Sequence, residues 1–146
     1  MVFIARITLN GLDDIARVLE GFRDAGKDIA DRMLYAGGYV AKSQLKEEVQ
    51  RHHHIDTGSM YENIGYTDPK GKGSERFVTA YPRGSVKRKN KTTSNALKGF
   101  VLNYGSAARG ITGDMWFDKG VYASEQQIEK EMIRVFDEQI EKIVKL

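Results

Sequence analysis

Ile29, Met33, Ala36, Val40, Leu45 and Val49 recur at helical spacing between about Lys27 and about His53. The stripe commits a large part of a 146-residue chain to one amphipathic helix, with Asp31, Arg32, Lys42, Lys46, Glu47 and Arg51 off it. An all-β fold is therefore not expected, and the remaining segments are read around this helix. Gly37-Gly38 interrupts the stripe and costs about 1 kcal/mol of helix propensity per glycine against alanine. The pair is expected to mark a close helix crossing or a kink within one helix.

Upstream, Val2, Ile4, Ile7 and Leu9 alternate loosely, which predicts a strand from Val2 to Asn10. Asn10-Gly11 breaks it. Leu12, Ile15, Val18, Leu19 and Phe22 then predict a first helix that stops at Gly26. Downstream of residue 58 the texture changes. Ile64–Tyr66, Phe77–Tyr81 and Phe100–Tyr104 are short and rich in aromatic and β-branched residues, so they read as strands. Asp68-Pro69-Lys70-Gly71 and Pro82-Arg83-Gly84 supply turns between them. Met115-Trp116-Phe117 reads as a final short strand or an anchored loop. Ser124 and Gln127 have capping-box spacing and predict a last helix opening at Ser124. Its apolar face is Ile128, Met132, Val135, Phe136, Ile140 and Ile143. The expected fold is α+β: an N-terminal strand and two helices, a small antiparallel sheet, and a long C-terminal helix packed on the sheet. Residues 1–146 are expected to form a single domain.

Charge is distributed unevenly. Arg76 to Gly113 holds eight basic residues and no acid, leaving 15 basic against 20 acidic residues elsewhere. A basic flank on an acidic remainder can pair with an oppositely charged surface, including a second copy. Within the flank, residues 83–98 have few apolar side chains and are expected to form a long, mobile basic loop. Its Arg83, Lys87, Arg88, Lys89, Lys91 and Lys98 are the candidate contacts to a partner or to DNA. No apolar run is long enough to span a membrane, and MVFIARITLN lacks the basic start and apolar block of a secretory signal. With no cysteine, disulfides, thiolate–zinc sites and cysteine nucleophiles are excluded.

The segment Ile55-Asp56-Thr57-Gly58-Ser59 resembles the catalytic loop of an aspartic protease. Such an enzyme needs two carboxylates about 3 Å apart sharing one proton. A chain with one Asp-Thr-Gly meets that need only as a symmetric dimer, and the loop belongs between strands of an all-β fold. Here it follows a helix ending Gln50-Arg51-His52-His53-His54. The better-supported role is a turn. Short Asp and Thr side chains bond to nearby amides, Gly58 tolerates positive φ, and Ile55, Met60 and Ile64 pin the turn to the core. His52, His53 and His54 point about 100° apart on a regular helix, so they cannot jointly hold one metal; a solvated helix end is expected. Gly71-Lys72-Gly73-Ser74 lacks the setting of a phosphate loop and reads as a hairpin turn. No cofactor or metal is expected.

Two segments taken in order resemble the small tail-completion and head–tail joining (neck) proteins of long-tailed bacteriophages. The first is a long helix followed by Ile55-Asp56-Thr57-Gly58-Ser59-Met60-Tyr61-Glu62-Asn63-Ile64. The second is Phe100-Val101-Leu102-Asn103-Tyr104-Gly105-Ser106, a strand motif in that family, followed by the aromatic anchor Trp116-Phe117. The chain departs from the family pattern in having His54-Ile55 where a proline is common, Asn103 where Glu is common, and no proline near the anchor. The resemblance implies a structural component of a phage or prophage particle, built into a ring at the tail end or in the neck and performing no chemistry. Its implied partners are copies of itself and adjacent neck or tail-tube proteins, with transient DNA contact through the basic loop and no membrane. Its implied location is the virion, after assembly in the host cytoplasm. The turn residues Asp56, Thr57, Gly58, Met60 and Ile64, and the motif residues Tyr104, Gly105, Ser106, Trp116 and Phe117, then serve architecture. The alternatives are a nucleic-acid-binding module using residues 83–98 and, more remotely, a dimeric aspartic protease using Asp56.

Overall fold

A computed structural model describes residues 4–144. Val2 of the expected first strand lies outside them. The strand itself, β1, is Ala5–Thr8, and helix α1 follows as Asp13–Gly21. The break between the first two helices comes earlier than Gly26. Phe22 ends α1, and Arg23 adopts a left-handed backbone (φ 53°) that turns the chain into α2, Asp24–Arg51. Gly26 lies inside α2 because nothing larger fits: a Cβ there would overlap the backbone carbonyl of Leu19.

Helix α2 has 28 residues, about 42 Å at 1.5 Å per residue, which is longer than a small domain is wide. It runs unbroken through Gly37-Gly38, where the crossing is close. A Cβ on Gly37 would lie 3.0 Å from Ile7 and 3.2 Å from Met132 Sδ, and one on Gly38 would lie 2.8 Å from the Tyr66 ring. The glycines therefore let strand, sheet edge and C-terminal helix approach one stretch of α2.

After a turn, α3 (Ser59–Asn63) leads into β2 (Ile64–Tyr66) and β3 (Phe77–Pro82). The three-stranded antiparallel sheet has the order β1-β3-β2, with Ala5 opposite Ala80 and Gly65 opposite Tyr81. One face is covered by α2, and Arg76 fastens the β2–β3 connection to that helix through a bidentate pair with Asp31. The C-terminal helix α5, Trp116–Val144, runs antiparallel along α2 and reaches the β1 side of the sheet. Met33, Leu34, Leu45, Val49, Ile64, Val78, Trp116 and Met132 are essentially inaccessible and form the centre of one core. Burying each large side chain contributes about 1.5–3 kcal/mol.

Three expected elements take other forms. Phe100–Tyr104 is not a strand but the end of helix α4, Asn95–Tyr104, capped by Ser94, whose Oγ accepts the Leu97 amide at 3.0 Å. The basic segment 83–98 is not a long loop: β4 (Ser85–Arg88) and β5 (Lys91–Ser94) pair as a hairpin, and its last residues start α4. Lys89 turns the hairpin with φ 56°. Finally, Ser124 does not open the last helix. It is buried inside α5, where its hydroxyl donates to the Val121 carbonyl, and Trp116-Phe117 begin the helix. Between α4 and α5, a two-residue pair of strands, β6 (Gly105–Ser106) and β7 (Ile111–Thr112), closes a small excursion.

Candidate functional site

The turn before α3 and the start of α5 are brought together by α4 and the hairpin. At the turn, Gly58 has φ 88° and Thr57 Oγ1 accepts the Ser59 amide at 3.2 Å, as expected for a chain reversal. Met60 and Ile64 are buried, whereas Ile55 is about half exposed and does not pin the turn. Asp56 acts at longer range than a local cap. Its Oδ2 accepts from Arg88 Nη2 at 2.8 Å and from Lys98 Nζ at 3.1 Å, tying the turn to the hairpin and to α4. Lys98 first, then Arg88, hold the carboxyl below the usual carboxylate range.

Helix α4 turns its small and polar side inward: Asn95, Gly99 and Asn103 are its buried residues. Asn95 Nδ2 donates to the Arg83 carbonyl at 2.9 Å and to Ser59 Oγ at 3.2 Å, so it joins the hairpin base to α3. Asn103 Nδ2 donates to Asp118 Oδ2 at 2.7 Å, while its Oδ1 accepts the Phe117 amide at 2.8 Å. Trp116, fully buried, donates its indole N–H to the Gly99 carbonyl at 3.1 Å. The first turn of α5 is thus capped in part from α4. Of the other motif residues, Tyr104 packs its ring on Phe100 at 4.8 Å, and Ser106 pairs with Ile111. Gly105 has φ 87° with the Gly113 amide beside it, a place that excludes a side chain.

The histidines are not a solvated helix end. His52 and His54 are largely buried and stack at 6.0 Å. Both reach Asp114 Oδ2, at 3.2 Å from His52 and 2.6 Å from His54, and His52 also meets the buried Glu48 at 3.2 Å. His53 points away, exposed, on a left-handed backbone that ends α2. Asp114 also accepts the Trp116 amide at 3.1 Å, so this cluster braces the start of α5 against the end of α2. Among the described residues no group of three or more His, Asp or Glu is arranged to hold a metal ion.

The six basic candidates divide into two sets. Arg88 and Lys98 are engaged by Asp56, and Arg83 donates to the Tyr66 carbonyl at 3.0 Å. Lys87, Lys89 and Lys91 are exposed at the hairpin tip, and no ion pair of the described residues engages them. Sequence reasoning missed Asn95, Asn103, Asp114 and Glu48. The Asn95-Gly99-Asn103 spacing of four was the available signal for a helix with a polar buried face. No helix of the described residues is long and apolar enough to cross a membrane. Comparison with known proteins gives no match, whether to a family model, a curated protein or a solved structure.

Proposed function

We propose that this chain is a structural component of a bacteriophage or prophage particle, assembling as a ring at the tail end or in the neck and joining tail to head without catalysis. The supporting observation is the use of both phage-like segments as architecture. Asp56 braces the hairpin and α4, and the Trp116-Phe117 anchor is locked to α4 by Gly99 and Asn103. The order strand, two helices, antiparallel sheet and long C-terminal helix also agrees with the resemblance. The virion is the proposed location. The test is removal of the gene from the phage or prophage that encodes it, followed by negative-stain microscopy. Separate heads and unjoined tails, restored to whole particles by the gene in trans, are expected; joined particles without it overturn the role.

One observation favours a second role, transient DNA contact: Lys87, Lys89 and Lys91 are all exposed near the tip of the hairpin. Phosphate binding by such a tip is sequence-independent and falls steeply with salt. Fluorescence anisotropy with duplex and single-stranded DNA across a salt series tests it. A flat salt response or no binding removes this role.

A further inference from the structure

The sheet ends on β1 at one side and on β2 at the other. Strand β1 pairs with β3 only, and among the described residues no other backbone group bonds to its outer edge. An open edge is a template for a further strand. Here that edge forms one wall of a groove of about 300 Å3, with α5 as the other wall. Ala5, Ile7, Val121 and Ile128 line its apolar part, and Glu125 and Glu129 stand on the α5 side. Both glutamates are exposed, whereas Glu131 and Glu138 of the same helix pair with Arg134. As a whole, α5 carries seven acidic against four basic residues.

The hairpin is the complementary object. Among the described residues no third strand pairs with either of its two short strands, and its tip carries Lys87, Lys89 and Lys91. It is fastened on the β2 side of the sheet, through Arg83 to Asn63 and through Arg88 to Asp56. The groove lies on the β1 side. A single chain therefore presents the two surfaces at opposite edges. We propose that the groove between β1 and α5 receives the β4–β5 hairpin of a second copy of this chain, a strand edge lying along β1 and the lysines meeting Glu125 and Glu129. Such a contact is heterologous: each copy offers a hairpin and a groove, so copies add head to tail until a ring closes. Opposite charges set the register and the rate of encounter. The surface deepens the ring-forming role proposed above and rests on it.

The absence of cysteine makes a direct test available. Full-length copies bearing Asn90→Cys are mixed with copies bearing Glu129→Cys under mild oxidation, with circular dichroism to verify folding. A disulfide-linked pair of the two variants is expected. It falls about tenfold when the Asn90→Cys copy also carries Lys87→Glu, Lys89→Glu and Lys91→Glu. It returns when the partner also carries Glu125→Lys. Three results overturn the docking. One is a cross-link indifferent to these charges. Another is self-association with no cross-link at this pair, which leaves the groove to another occupant such as an unrelated strand. The third is a tip that binds duplex DNA while self-association ignores the groove charges. The ring-forming role fails separately. Triple-lysine-reversed protein that still restores joined particles overturns the docking and leaves the role standing, whereas particles joined without any of the protein overturn the role itself.

Discussion

Asp56 and Asn103 do the work of joining at the scale of single residues, and they do it differently. Asp56 is exposed, so its two ion pairs are screened and each contributes little to global stability. Its effect is local: Asp56→Asn is expected to leave the melting temperature nearly unchanged while amide exchange in the hairpin (residues 85–94) accelerates. Equal exchange in both proteins would show that the clamp is not holding the hairpin. The pH dependence follows from its lowered folded-state value. The contribution is fully present above the ordinary carboxylate range and is lost as pH falls through the lower value. A carbon-13 titration of the Asp56 carboxyl should therefore have its midpoint below about 3.9, and a midpoint at or above that value contradicts the two-cation clamp. Asn103 is fully buried with both ends of its amide engaged. Asn103→Ala leaves the Asp118 carboxylate and the Phe117 amide without it, and a loss of about 2–3 kcal/mol in denaturant unfolding is expected. Asn103→Asp sets a second carboxylate beside Asp118. Its folded-state value is raised by the like charge, so that variant should be weakest near neutrality and recover on acidification.

At the scale of elements, glycines govern where helices can meet. Gly26 is pressed on the Leu19 carbonyl, while Gly21 at the end of α1 has open space around it. Alanine at the two positions should therefore act in opposite directions. Gly26→Ala forces α1 away from α2 and should cost about 2–3 kcal/mol. Gly21→Ala should gain about 0.5–1 kcal/mol from helix propensity. Thermal melts of the pair check both signs, and equal effects would contradict the packing. The same elements show what the sequence makes legible. Helix α2 announces itself because its inward positions from Ile29 to Val49 are mostly apolar over about six turns, and β2 and β3 because aromatic and β-branched residues sit between turn residues. Helix α4 is hidden because its buried face is Asn95, Gly99 and Asn103, leaving Phe100, Val101 and Tyr104 to imitate a strand. The hairpin is hidden because Ser85–Arg88 and Lys91–Ser94 offer almost no apolar alternation, so backbone pairing carries it. The true start of α5 is capped by Asp114, two residues upstream, and by Asn103, 14 residues away and beyond any local pattern, whereas Ser124 and Gln127 imitate a cap inside the helix. The turn at Gly58 was legible because its constraint is local; the Asp56 partners, 32 and 42 residues away, were not.

At the scale of the whole molecule, the chain is two long antiparallel helices with a small sheet on one side, an acidic helix and open strand edge at one flank, and a basic hairpin at the other. Such polarity suits a subunit that repeats in one direction. Sedimentation should therefore find association of full-length protein that weakens about tenfold from low to high salt, since the contacting charges lie at the surface; salt-insensitive association would place the contact on another, apolar face. The central claim is that this fold is a repeated part of the particle where tail meets head. Its most direct test is a cryo-electron microscopy reconstruction of that region from intact particles of the encoding phage. The expected result is a closed ring whose repeating density fits residues 4–144, with a hairpin of each copy seated against its neighbour. A tail end and neck with no density for this fold, in particles that are nonetheless whole, would contradict it.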